Sequence, residues 1–118
     1  MKSINFKKQQ QIIRRKHRSR AKISQTSRVR LSVFRSLKHL SAQIIDDQKR
    51  TTLVAVHDRE ITDAKVKGLE RARQLGLLLA TKAKAKKIEQ VVFDKGSYRY
   101  HGQIKSLAEG AREGGLQF

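Results

Sequence analysis

Val29 to His57 reads VRLSVFRSLKHLSAQIIDDQKRTTLVAVH, and three short apolar alternations inside it decide the fold. Val29, Leu31 and Val33 fall on one face of an extended chain over Val29–Phe34, and Leu40, Ala42 and Ile44 do the same over His39–Ile45. Period-two patterning of this kind predicts two strands paired as a hairpin. Thr51–His57 is rich in β-branched residues and follows the polar turn Asp46–Arg50, which predicts a third strand antiparallel to the second. Beyond it the period changes. Ala72, Leu75, Gly76, Leu79 and Ala83 recur at three- and four-residue spacing, predicting an amphipathic helix from Asp63 to about Lys87. Thr62 or Asp63 is expected to cap it, Lys82, Lys84, Lys86 and Lys87 to face its C-terminal carbonyls, and Gly76 to let it lie close to the sheet. Gln90–Phe93 is an apolar run that re-enters the sheet after this crossover, so it is expected parallel to the first strand. Ile104, Leu107, Ala108 and Ala111 then keep helical spacing up to a stop at Gly114-Gly115, leaving Leu116 and Phe118 to pack back. The expected fold class is α/β: one βββαβα domain over residues 29–118.

Before this domain the composition is different. No Asp or Glu precedes Asp46, and Met1–Ile45 carries thirteen Lys or Arg, so most of the formal charge of +18 lies in the first third. A one-sign segment repels itself in water, and its natural partner is a dense, extended polyanion, for which nucleic acid is the best fit. Residues 1–28 hold no Gly or Pro, but Arg14/Arg18 and Lys16/Arg20 are like-charge pairs at helical spacing. Each such pair opposes a helix by roughly 0.2–0.5 kcal/mol until phosphates neutralise it, so residues 1–28 are expected to be an arm that orders on RNA. Organellar transit peptides are also basic and acid-free, but this segment has no clear amphipathic face. Phe6, Ile12 and Ile13 are too few for insertion into a membrane surface. The longest apolar cluster, Leu75–Ala80, falls far short of the roughly 18–20 residues that span a bilayer, so no membrane partner is expected. The absence of Cys excludes disulfides, thiolate-bound zinc and thiol catalysis.

An enzyme needs convergent carboxylates, an activated nucleophile or a phosphate loop, and the ten acids here scatter over turns and helix surfaces. Asp94 is the best-placed exception, because ligands favour the C-terminal edge of parallel strands. An Asp in Asp94-Lys95-Gly96-Ser97 more simply accepts local backbone N–H groups and braces a loop. The four His, at 17, 39, 57 and 101, show no ligand spacing, so neither a metal nor a cofactor is expected. The loop Lys95–Gly102, KGSYRYHG, interleaves Lys95 and Arg99 with the rings of Tyr98, Tyr100 and His101. Such rings stack on unpaired bases at about 1–3 kcal/mol per base while the cations hold phosphates. One of the two Tyr is equally suited to packing at the end of the sheet. The first hairpin turn, Arg35-Ser36-Leu37-Lys38-His39, is a second basic loop that carries a hydroxyl. Two other functions fit less of the sequence. An architectural nucleic-acid binder needs charge alone, and a metal-dependent nuclease needs two or more carboxylates around Mg²⁺.

Phe93–Phe118, FDKGSYRYHGQIKSLAEGAREGGLQF, closely resembles the C-terminal signature of the large ribosomal subunit protein eighteen family, the bacterial-type 5S rRNA-binding proteins. RLSVFRS at Arg30–Ser36, the pair Lys38-His39 and AQIIDD at Ala42–Asp47 resemble that family's first hairpin. The resemblance implies a structural ribosomal protein without enzymatic activity, which binds 5S rRNA and helps attach it to the 23S-type large-subunit rRNA in the central protuberance, beside neighbouring ribosomal proteins. It implies a ribosome of the bacterial cytoplasm, or of the stroma or matrix of an organelle with bacterial-type ribosomes, the plastid ahead of the mitochondrion. It also implies a ribonuclease-H-like mixed sheet in the order 3-2-1-4 with the second strand reversed. Carried over by position, the implied RNA contacts fall on Lys7, Lys8, Arg14, Arg15, Lys16, Arg18, Arg20, Lys22 and Arg28 of the arm. Within the domain they fall on Arg30, Arg35, Ser36, Lys38 and His39, and on Lys95, Tyr98, Arg99, Tyr100 and His101. This chain departs from the family pattern at Val29, commonly Pro, at Ser41, commonly aromatic, at Gln103, commonly basic, and at Lys87, commonly a helix-ending Gly.

Overall fold

Alternation in the first strands becomes a single four-stranded sheet ordered β3-β2-β1-β4 in the computed structural model, which describes residues 10–15 and 29–118. Residues 10–15 form a short helix, α1. The domain then runs β1 (Val29–Arg35), β2 (Leu40–Asp46), β3 (Thr51–His57), a 3₁₀ turn (Asp58–Glu60), α2 (Gly68–Ala85), β4 (Val91–Asp94) and α3 (Gln103–Glu113). β1 and β2 pair antiparallel with Leu31 opposite Ile44 and Val33 opposite Ala42. β3 continues those rows with Val54 and Val56, and β4 lies parallel to β1 with Val91 beside Val29. Because facing residues in register share a side, every apolar row lands on one face. Leu31, Val33, Leu40, Ala42, Ile44, Val54, Val56 and Val91 are all buried. Ala72, Leu75, Leu79 and Ala83 of α2 and Ile104, Leu107 and Ala111 of α3 close the same core. Burying each large side chain contributes about 1.5–3 kcal/mol, which makes this face the main source of stability. The opposite face carries Ser32, Phe34, Ser41 and Gln43, and Phe34 is 62% exposed.

Two expectations need correction. α2 begins at Gly68 rather than Asp63. The Asp63 carboxylate accepts the Lys65 N–H at 3.0 Å, and its carbonyl accepts the Val66 N–H at 3.2 Å. Asp here makes a local turn that competes with helix, which is the usual alternative for this side chain. Its place as cap falls to Lys67, whose side chain makes no capping bond. The second correction concerns Gly76. A Cβ built there would stand 2.1 Å from the Leu107 carbonyl oxygen and 2.7 Å from the Ala111 nitrogen. Gly76 therefore admits the backbone of α3, not the sheet.

Both helices end in the same device. At the end of α3 the Leu116 N–H donates to the Ala111 carbonyl and the Gly115 N–H to the Arg112 carbonyl, with Gly115 at φ 112. At the end of α2 the Ile88 N–H donates to Ala83 and the Lys87 N–H to Lys84, with Lys87 at φ 61. These are Schellman closures, and the second places a residue with a Cβ in the left-handed region. Lys87→Gly is thus expected to raise stability by about 1 kcal/mol, read as a shift in the urea midpoint at constant slope; an unchanged or lowered midpoint would refute the strain.

Candidate nucleic-acid interface

At the C-terminal end of β1 and β4 two loops meet. The β1–β2 connection is a tight turn in which the Ser36 N–H donates to the His39 carbonyl at 2.8 Å and the His39 N–H donates to Ser36 Oγ at 3.1 Å. Its closed shape leaves Arg35, Leu37 and Lys38 exposed. The β4–α3 loop is braced from its root. Asp94, buried at 3% exposure, accepts the Gly96 N–H at 2.8 Å and Arg30 Nη1 at 2.9 Å. Lys95 Nζ donates to the Tyr98 carbonyl at 3.2 Å, closing the turn. Tyr98 then joins the two loops: its Oη accepts the Arg35 N–H and donates to the Arg35 carbonyl, both at 3.1 Å.

This arrangement sorts the residues that the sequence singled out. Tyr98 is the ring that packs at the end of the sheet, against the core, while Tyr100 is more exposed and meets Phe93 edge-on with centroids 5.8 Å apart. Arg35, Lys38, Arg99, Tyr100 and His101 lie exposed around the two loops. Ser36 is engaged in the turn itself. Arg30 lies on the open face of the sheet at 12% side-chain exposure, held between Asp94 and Asp47, its second carboxylate partner at 3.1 Å. Burial works against its charge, but the hydrogen bonds and attraction of Asp47 and Asp94 outweigh that and make Arg30 more basic than usual. It holds the domain together rather than standing free. Of the cations in the expected arm, Arg14 and Arg15 belong to α1 and are exposed. Lys7, Lys8, Lys16, Arg18, Arg20, Lys22 and Arg28, and the expected ordering of the arm on RNA, lie outside the described residues.

Sequence reasoning missed the third side of this surface. A cleft of about 420 Å³ is lined by Arg35 and Lys38 from the hairpin turn and by Lys67, Gly68 and Arg71 from the start of α2. The bare cap at Lys67 leaves the first N–H groups of α2 without a side-chain acceptor, which suits an anion. The signal was present as Lys65 and Lys67 within Asp63–Gly68, masked by the expectation that helix began at Asp63. Arg71 itself is structural. Its guanidinium donates to the carbonyls of Asp58 at 2.7 Å, Ile61 at 3.1 Å and Val66 at 3.2 Å, gathering the irregular segment before α2.

His39 and Asp58, which line the cleft, come together with His57. Asp58 is 6% exposed; its Oδ2 accepts the Leu40 N–H at 3.2 Å and its Oδ1 lies 3.0 Å from His39 Nδ1. Burial raises its pKa, but the Leu40 N–H and His39 more than offset this and hold the carboxyl below the usual range. Asp58 is therefore a buried carboxylate in its charged form. Among the described residues these three form the sole group of three or more His and carboxylate side chains whose ligand atoms all lie within 4.8 Å of one another.

The family model described as ribosomal L18 of archaea, bacteria, mitochondria and chloroplasts matches residues 6–118. The chain is 59% identical over 107 residues to the large ribosomal subunit protein uL18 of Thermus thermophilus, covering 89% of this chain and 93% of that protein. It is 52% identical over 106 residues to the protein of the same name from Brachyspira hyodysenteriae, covering 89% and 90%. With the Deinococcus radiodurans protein the identity is 49% over 110 residues, covering 90% and 95%. A matching family model over nearly the whole length and relatives up to 59% identical over most of the chain agree: this chain, with its mixed sheet in the order 3-2-1-4, belongs to the ribosomal L18 family, a family of structural ribosomal proteins and not of enzymes.

Proposed function

We propose that this chain binds 5S rRNA and helps attach it to the 23S-type rRNA of a bacterial-type large subunit, beside neighbouring large-subunit proteins of the central protuberance. Membership of the ribosomal L18 family supports the ribosomal setting, and the relatives compared above are bacterial large-subunit proteins. The observation that supports an RNA surface on the domain is the double hydrogen bond between Tyr98 and the Arg35 backbone. It joins the turn bearing Arg35 and Lys38 to the loop bearing Arg99, Tyr100 and His101, so cations and ring faces are offered together. In this reading Lys95, Tyr98, Arg30 and Ser36 shape the surface, while the exposed residues and the arm cations touch RNA. Phosphate contacts supply affinity and the preshaped loops choose among RNA shapes.

If about six to eight cations engage phosphates, the affinity for 5S rRNA falls with salt along a log–log slope near −5 to −7. Filter binding between 50 mM and 200 mM salt is then expected to lose about a thousandfold to ten-thousandfold in affinity. The same assay with duplex DNA as competitor, at equal phosphate concentration, tests the choice of RNA. A flat salt dependence, or displacement of the RNA by duplex DNA, would overturn the proposal.

A further inference from the structure

Two imidazoles converge on one buried carboxylate oxygen. His39 stands at the entry of β2 and His57 at the exit of β3; antiparallel pairing, with Ser41 opposite His57, brings them side by side, their ring centroids 5.2 Å apart. Asp58 follows directly and turns its Oδ1 into the gap. His39 Nδ1 and His57 Nδ1 each lie 3.0 Å from this same oxygen. His57 Nδ1 also accepts the Arg59 N–H at 3.2 Å. A neutral ring nitrogen carries a lone pair or a proton, never both. When His57 Nδ1 accepts from Arg59 it has no proton for Asp58, and two electron-rich atoms face each other across 3.0 Å. A cation bound to His57 Nδ1 removes the facing of these two atoms by taking the same lone pair, which releases the Arg59 N–H.

The donor set is chemically selective. Two imidazoles and one carboxylate, supplied as single atoms within 4.8 Å of one another, match the ligands preferred by divalent first-row transition metals. Ligands bonded at about 2.1 Å stand about 3.0 Å apart at right angles and about 3.4 Å apart in a tetrahedron, so the 3.0 Å between Asp58 Oδ1 and each Nδ1 needs an opening of at most a few tenths of an ångström. One further support is in place. Asp58 Oδ2 is fixed by the Leu40 N–H, which orients the carboxylate ligand. The His side chains are 40% and 42% exposed, which leaves a path from solvent for the ion and for water in the open positions.

We infer that His39, His57 and Asp58 form a binding site for one divalent transition-metal ion of the zinc, nickel and cobalt class. Its place in the fold gives it a consequence. His39 closes the hairpin turn and Asp58 begins the segment leading to α2, so the ion ties the loop that bears Arg35 and Lys38 to the lining of the cleft.

Zinc chloride titrated into the chelator-stripped full chain, without RNA, tests this by calorimetry, with melting curves read alongside. One ion per chain is expected, with a higher melting temperature in its presence. His57→Asn, which keeps an acceptor for the Arg59 N–H, and His39→Ala are each expected to lower the affinity at least tenfold, while His101→Ala leaves it unchanged. Asp58→Asn is read only if its metal-free circular dichroism matches that of the parent chain; the two His variants carry the test if it does not. No stoichiometric zinc, or equal affinity in the parent and both His variants, would overturn the site. Because RNA is absent, neither result depends on the ribosomal reading.

Discussion

Gly110→Ala is expected to lower the stability of the domain by at least about 3 kcal/mol, and Gly110→Val to leave little folded protein at ambient temperature. In an isolated helix the first change would stabilise by roughly 0.5–1 kcal/mol, because Gly carries the larger backbone entropy. The sign is reversed here by contact between helices. A Cβ on Gly110 would meet the Arg73 carbonyl oxygen at 2.1 Å and its carbon at 2.9 Å, while Gly76 faces Leu107 and Ala111 just as closely from the other side. All these neighbours are backbone, so no rotamer can turn away. α2 and α3 must separate by on the order of 1 Å, loosening Leu75, Leu79, Leu107 and Ala111 at once in an interior that is close-packed. Against a total of roughly 5–10 kcal/mol for a domain this size, the loss is severe. Urea denaturation followed by circular dichroism measures it, with the exposed Glu109→Ala on the same helix expected within about 0.5 kcal/mol of the parent. A midpoint for Gly110→Ala at or above that of the parent would show that the helices do not touch there.

What the sequence disclosed and what it hid follow from the range of each interaction. Strand alternation and the helical rows at Ala72–Ala83 and Ile104–Ala111 were legible because one face of each element meets one core, so period alone marks the buried positions. Lys87 was legible as a departure from a helix-ending Gly, and its φ of 61 places it in that very conformation. Gly76 was legible as a close approach but not in its partner, since periodicity names a face and not the neighbour that covers it. Asp63 misled because the same carboxylate serves as helix cap or local turn, and only the following backbone decides between them. At the site, the basic loops could be read from composition. Their union could not: Tyr98 reaches Arg35 across 63 positions of sequence. The His39–His57–Asp58 cluster was hidden in the same way, lacking local ligand spacing. The register of the β2–β3 hairpin is what brings it together.

Asp94→Ala is expected to cost about 2–4 kcal/mol and, under the proposed function, to weaken the binding of 5S rRNA beyond what the lost stability explains. Asp94 is the carboxylate that sequence position alone would offer to chemistry, at the end of a parallel strand. Its bonds point elsewhere. One oxygen holds the Gly96 N–H and the other holds Arg30, with the two side chains only 3% and 12% exposed. Removing one member of a buried ion pair typically costs about 3–5 kcal/mol, chiefly because the other charge is left without its partner. Arg30 retains Asp47, itself 58% exposed, so the figure here is lower. The loss of the Gly96 bond acts separately, by freeing the turn that positions Tyr98 and, through it, Arg35. A double mutant separates the two effects. Arg30→Met combined with Asp94→Leu removes both charges, so it is expected to recover much of the thermal stability while the turn stays loose and RNA affinity stays low. If Asp94→Ala melts within about 0.5 kcal/mol of the parent, the buried pair does not support the loop. If the double mutant binds RNA as tightly as the parent, the path from Asp94 through Tyr98 to Arg35 is not what shapes the surface.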